Sequence, residues 1–146
     1  MPPSNALAHA LRQAPFALRI TRRKGGLAAI VYRRQADAEG RDRLRRVGAL
    51  SPLALSAARP MLRDAVGVCG APAPGPYRPL DTTWGARLAC FALLSARLTD
   101  GERLLRAAEH LRHADPDQAA WWLGLLLQDD NRRALRALRI LTEAVR

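Results

Sequence analysis

From Phe16 to Arg23 the chain alternates: Phe16, Leu18 and Ile20 fall on one side of an extended backbone and Arg19, Thr21 and Arg23 on the other, the period-two pattern of a half-buried strand. Lys24-Gly25-Gly26 supplies the positive φ of a tight hairpin, and Leu27 to Arg34 returns as a second strand around the β-formers Ile30, Val31 and Tyr32. A polar turn from Gln35 to Gly40 leads into a third strand, Asp42 to Leu50. A short helix capped by Ser4 or Asn5, with Leu7 and Leu11 on one face and Pro15 as its stop, is expected ahead of the sheet.

After Leu50 the period changes to that of helices. Ser51-Pro52 joins a capping hydroxyl to a first-turn proline, and Leu53, Leu55, Met61, Leu62, Val66 and Val68 continue a helix that Pro60 either kinks or divides. Gly70 to Pro79 contains four prolines and two glycines and reads as a linker that no regular element tolerates. Beyond it, Thr82 or Thr83 caps a helix through Leu98 bearing Trp84, Leu88, Phe91 and Leu94. Thr99-Asp100-Gly101-Glu102 is a capping box for a helix to about His113, and Asp115-Pro116-Asp117-Gln118 opens the next, which holds Trp121 and Trp122. Asp130-Asn131 caps the last helix, with Leu135, Leu138, Leu141 and Val145 as its apolar stripe and Arg132, Arg136 and Arg139 opposite. The pattern therefore predicts an α+β fold: a short N-terminal helix and a basic three-stranded antiparallel β-meander, followed by a C-terminal antiparallel helical bundle. The expected units are 1–69 for the meander with its flanking helices, 70–81 for the linker and 82–146 for a four-helix bundle, together one compact unit, and loops of a few residues predict antiparallel packing of the four helices.

Charge changes the picture from folding to partners. The 146 residues carry a net charge of +11, and eight of those eleven charges lie between Arg12 and Arg46. Such a concentration raises the local density of polyanions. Of 24 cations only Lys24 is a lysine; selection for bidentate phosphate or carboxylate contacts and a GC-rich gene both produce that ratio. A 49% hydrophobic, 25% charged composition is that of a globular protein. No run of eighteen apolar residues is present, so no membrane partner is expected, and an N-terminus without a basic start and apolar stretch points to the cytoplasm. Cys69 and Cys90 lack CxxC spacing and read as buried free thiols.

Candidate chemistry is sparse. His110 and His113 lie three apart with Glu109 and Asp115 near, but no third strong ligand has fixed spacing, and histidines suit a helix C-terminus through the dipole. The pairs Asp115/Asp117 and Asp129/Asp130 sit where helices begin and read as caps. Without a phosphate-binding loop, GxSxG or HExxH, neither an enzyme, a metal nor a cofactor is expected. The basic sheet instead nominates Arg19, Arg22, Arg23, Lys24, Arg33, Arg43, Arg45 and Arg46 as contacts to nucleic acid, DNA before RNA, with Arg19 and Arg23 extended by Arg43 and Arg45 into one patch. Pleating sets Arg19 and Arg23 apart from Arg22, and Arg33 apart from Arg34. Tyr32 is the one aromatic expected centrally in the sheet, which favours backbone contact over base stacking. Trp121, Trp122, Arg132, Arg136 and Arg139 are nominated for docking on a larger protein subunit. Two alternatives stand beside this: an adaptor whose basic sheet binds an acidic protein surface without nucleic acid, and self-association through the Leu135, Leu138 and Leu141 stripe.

Two resemblances add expectations. Phe16 to Leu62, a basic three-stranded sheet followed by GALSPLALSAARPML, is similar in outline to the arm-type DNA-binding domain of tyrosine recombinases. GERLLRAAEHLRHADPDQAAWWLGLL and NRRALRALRILTEAV, from Gly101 to Val145, resemble the C-terminus of a small uncharacterised bacterial family with an acidic helix start, an aromatic pair after alanine and an RRALRALRxLL ending. Trp121 and Trp122 stand where that family is expected to carry tyrosine or phenylalanine. Membership implies an accessory subunit encoded in anti-phage defence or DNA-modification clusters, beside a large ATPase, a DNA methyltransferase and a helicase or nuclease. The resemblance carries no catalytic residue.

Overall fold

Lys24 and Gly25 form a two-residue connection between β1 (Phe16–Arg23) and β2 (Gly26–Ala36), with Gly25 at a φ of 95° that side chains bearing a Cβ rarely adopt. The computed structural model describes residues 13–66, 74–75, 77–96, 98, 100–113, 132, 136, 139 and 140. The expected opening helix, Arg12, Cys69, the helix begun by Asp115, Trp121 and Trp122, and the stripe Leu135, Leu138, Leu141 and Val145 lie outside the described residues. A second turn joins β2 to β3 (Asp42–Leu50). Asp37 organises it, its Oδ1 accepting from the amides of Glu39 and Arg41 at 2.9 Å each, while Gly40 takes a φ of 79°.

The expected α+β class holds, with a correction to the sheet. Among the described residues four antiparallel strands, not three, pair in the order β3-β2-β1-β4. The added strand, β4 (Arg78–Leu80), emerges from the proline-rich stretch and pairs with β1, Phe16 opposite Leu80 and Leu18 opposite Arg78. Its Pro79 is tolerated because β4 is an edge strand, where one missing N–H leaves no central ladder bond unmade. Local composition marked the prolines correctly and could not show that β1 offers a free edge to them.

Pro60 divides the helix after the sheet. α1 (Pro52–Ala57) starts at Ser51, whose Oγ accepts from the Ala54 amide at 3.2 Å, and α2 (Arg59–Val66) follows one residue later. α3 (Thr82–Ser95) is capped by Asp81, whose Oδ1 accepts from the Trp84 amide at 2.7 Å, so the helix begins one cap earlier than Thr82 or Thr83 would place it. In α4 (Gly101–His113) the cap is Asp100, accepting from the Glu102 amide at 2.8 Å.

These helices cover one face of the sheet instead of forming a bundle apart from it. Phe16, Leu18, Ile20, Ala29, Val31 and Leu50 meet Leu55, Met61, Leu88, Phe91, Leu94, Leu104 and Leu111 in a single buried cluster. The reason lies in two small residues. A Cβ on Gly85 of α3 would stand 2.3 Å from Cγ of Phe16, and one on Gly48 of β3 would stand 3.2 Å from Cβ of Ala92. Glycine at both points lets α3 lie directly on β1 and β3. The Arg112 Nε to Asp64 Oδ2 ion pair, at 2.5 Å, then ties α4 to α2. Cys90 is a buried thiol, as expected, and burial pushes its pKa up.

Candidate functional site

Alternation along β1 and β2 works as the sequence implies, but β3 contains a bulge. Val31 pairs with Gly48 and the next residue, Tyr32, pairs with Arg46, leaving Val47 as the extra residue. A bulge reverses the phase of every side chain beyond it. Arg45 therefore lies opposite Arg33 and Arg43 opposite Gln35, on the helix-covered face, while Arg46 lies opposite Tyr32 and Leu44 opposite Arg34. Without Val47 as an extra residue, Arg45 and Arg43 would fall opposite Arg34 and Ala36, on the face of Arg19 and Arg23. The patch of Arg19, Arg23, Arg43 and Arg45 expected from strict alternation is thus split between two faces.

The nominated cations fall into three groups. Arg22, Arg23 and Lys24 are exposed at the β1–β2 hairpin end. Arg19 stands 5.5 Å from the centre of the Tyr77 ring, and Tyr77 meets Tyr32 edge-on with ring centres 5.1 Å apart. Tyr32 is therefore not the lone aromatic on its face; the proline-rich stretch returns Tyr77 to it just before β4. Burial, first, and then the hydrogen bond to Tyr77 raise the Tyr32 pKa, while Arg19 opposes the rise. Arg43 is held by Asp37, Nε to Oδ2 at 3.0 Å, and so is locally neutralised.

The third group makes a site. Arg33, Gln35, Arg45, Arg46, Val47, Arg136, Arg139 and Ile140 line a small pocket of about 90 Å³. Arg46, Val47, Gly48, Ala49, Ala92, Leu93, Ala96, Arg132 and Arg136 line an adjoining groove of about 610 Å³. Six arginines from β2, β3 and the helical positions 132, 136 and 139 thus converge, and no acid is among the described residues that line either space. Arg45, Arg46, Arg132, Arg136 and Arg139 make no ion pair among the described residues. Gly48, Ala49, Ala92 and Ala96 keep the floor low, so the groove exists because the residues between β3 and α3 are small.

Arg33 is the innermost of the six. Half-buried, its guanidinium carbon lies 6.0 Å from the centre of the Phe16 ring. Burial pushes its pKa down from the ordinary guanidinium range and the positive charge of Arg139 adds to that, while Cys90 acts the other way. The two sets of residues nominated separately, Arg33, Arg45 and Arg46 for nucleic acid and Arg132, Arg136 and Arg139 for a protein partner, thus meet in one place. Sequence reasoning missed Gln35, Val47 and Tyr77. Of these, Val47 had a signal: the doublet Arg45-Arg46 breaks the alternation of β3.

Among the described residues the two histidines do not converge with acids in the manner of a metal centre. His113 Nε2 lies 3.3 Å from Glu109 Oε2 as an i,i+4 pair, and no group of three ligating side chains is found among the described residues. No helix among the described residues is long and apolar enough to cross a membrane.

The fold and groove define an α+β domain with an antiparallel sheet, helices on one face and an arginine-lined cleft at the β3 edge. The chain belongs to the family described as domain of unknown function DUF7680, which it matches over residues 16–144. This is in keeping with the small uncharacterised family expected from the C-terminal third. Nothing matches among curated proteins or among solved structures.

Proposed function

We propose that the protein is a non-enzymatic accessory subunit of a bacterial defence or DNA-processing complex, and that it binds nucleic-acid backbone through the arginine groove. The observation that carries this reading is the convergence of Arg33, Arg45, Arg46, Arg132, Arg136 and Arg139 on adjoining spaces without an acid among the described lining residues. Planar guanidinium forks suit phosphate oxygens, and their charge is retained at any physiological pH. Guanidiniums and one amide hold anions but offer neither a general base nor a nucleophile, which fits binding and not turnover. Arg19, Arg22, Arg23 and Lys24 extend the positive field along the hairpin and favour encounter over precise contact. The helical part, including Trp121 and Trp122, serves in this proposal to dock on a larger ATPase or DNA-modifying subunit.

Fluorescence anisotropy with labelled DNA and RNA across a salt series tests the groove. Affinity should fall steeply as salt rises, and the double variant R132E/R136E should weaken binding and flatten the salt slope. Salt-insensitive binding, or full affinity in the double variant, would overturn the reading. Nuclease-resistant capture of one acidic protein, without nucleic-acid binding, would replace it with the adaptor function.

A further inference from the structure

We infer that the face of the sheet turned away from the helices is a stacking surface for unpaired bases, so that the ligand is a single-stranded nucleic acid, its backbone in the arginine groove and its bases on Tyr32 and Tyr77; this rests on the backbone-binding reading above. Phe16, Leu18, Ile20 and Val31 point into the core that the described helices share. Pleating sends Arg19, Ile30 and Tyr32 the other way.

A row of register partners crosses this outer face from edge to edge. Arg46 of β3 stands opposite Tyr32 of β2, Tyr32 opposite Ala17 of β1, and Ala17 opposite Pro79 of β4. Arg46 also lines both spaces of the groove. The row therefore starts where the backbone is to lie and leads directly to an aromatic ring. Ala17 beside that ring carries no side chain beyond its Cβ, which keeps the floor between the strands low.

Tyr77 adds the second ring. It meets Tyr32 with ring centres 5.1 Å apart and planes at 63°, and both tyrosines are half-buried. An edge-on contact covers one of the four ring faces, and the Arg19 guanidinium, 5.5 Å from the centre of Tyr77, covers a second. Bases stack on guanidinium planes as well as on rings, so Arg19 enlarges the surface instead of blocking it. Such stacking accepts any base, because each has a π-face.

Charge on this face selects the same class of ligand. Arg19, Arg23 and Arg46 are exposed on it. The first described acid along it, Asp42 opposite Ala36, lies two rows beyond Tyr32. An acidic protein surface answers the arginines alone, and a duplex keeps its bases stacked on one another. A single strand answers both the charge and the rings.

The test compares three labelled DNA probes by anisotropy at fixed salt: an oligothymidylate, an abasic strand of equal length and phosphate count, and a duplex of that length. The oligothymidylate should bind roughly tenfold more tightly than the abasic strand and more tightly than the duplex. Y77A should shrink the preference for bases to about threefold, Y77F should retain it because the ring stays, and Y32A provides a second variant on the sheet. R132E/R136E should weaken both single strands alike. Equal, salt-dependent binding of the oligothymidylate and the abasic strand, tighter binding of the duplex, or an undiminished preference in both Y77A and Y32A would overturn the stacking surface while leaving the backbone reading intact. Failure of all three probes to bind would overturn both.

Discussion

Arg33 of β2 and Arg45 of β3 are direct register partners in an antiparallel ladder, and both line the pocket that Arg139 also reaches. Like charges placed opposite each other in a sheet work against folding. In the backbone-binding reading proposed above, a bound anion offsets that repulsion.

Reversing one member should separate stability from binding. Arg45→Glu turns the like pair into an unlike one, so the thermal midpoint should rise at low salt, by the equivalent of about 0.2–1 kcal/mol, with the gain shrinking as salt screens it. Polyanion affinity should fall in the same variant. A lowered midpoint at low salt would show that the opposed arginines are not a source of strain.

Gly85 is placed by proximity, since a Cβ there would stand 2.3 Å from Cγ and 2.5 Å from Cβ of Phe16. Alanine is the better helix former by about 1 kcal/mol, yet Gly85→Ala should destabilise the fold because the aromatic ring and its own backbone attachment must shift. Overpacking of this type costs about 1–3 kcal/mol. Urea denaturation should show a lower midpoint, and an unchanged or higher one would mean that α3 can move off β1.

The helix start at Asp81 gives a more modest expectation. Asp81→Ala removes the acceptor that meets the Trp84 amide at 2.7 Å and should cost about 0.5–2 kcal/mol, whereas Asp81→Asn should retain most of the stability. Equal midpoints for the two variants would deny the cap its role.

Tyr32 sets an alkaline limit. Its pKa is raised above the ordinary tyrosine value, first by burial and then by Tyr77. A raised folded-state pKa means that the neutral phenol is favoured in the native protein, so its contribution is present in full below the unfolded value of about 10 and is lost as pH climbs through the folded value. Tyrosinate absorbance should show one tyrosine ionising later than in a denatured control, and Tyr77→Phe should bring it back towards the ordinary value. Simultaneous ionisation at the denatured position would contradict the Tyr32–Tyr77 contact.

The hairpin was legible because two signals coincide, the alternation from Phe16 to Ile20 and a glycine where φ must be positive. The Ser51-Pro52 helix start and the division at Pro60 were legible for the same kind of reason, a side-chain oxygen and a missing N–H acting within one turn. The candidate site was legible only as parts. Its arginines could be named, yet Arg45 was assigned to the wrong face, because one unpaired residue at Val47 reverses the phase of the strand beyond it.

Local order along the chain thus settled the first three strands, the Ser51 helix start and the placing of positive charge, since each depends on neighbours a few residues away. The fourth strand, the Tyr32–Tyr77 contact and the joining of Arg33 and Arg45 with Arg136 and Arg139 came from the folded chain. These contacts link residues tens of positions apart. Periodicity reports which side of its own element a residue occupies; packing decides what stands across from it.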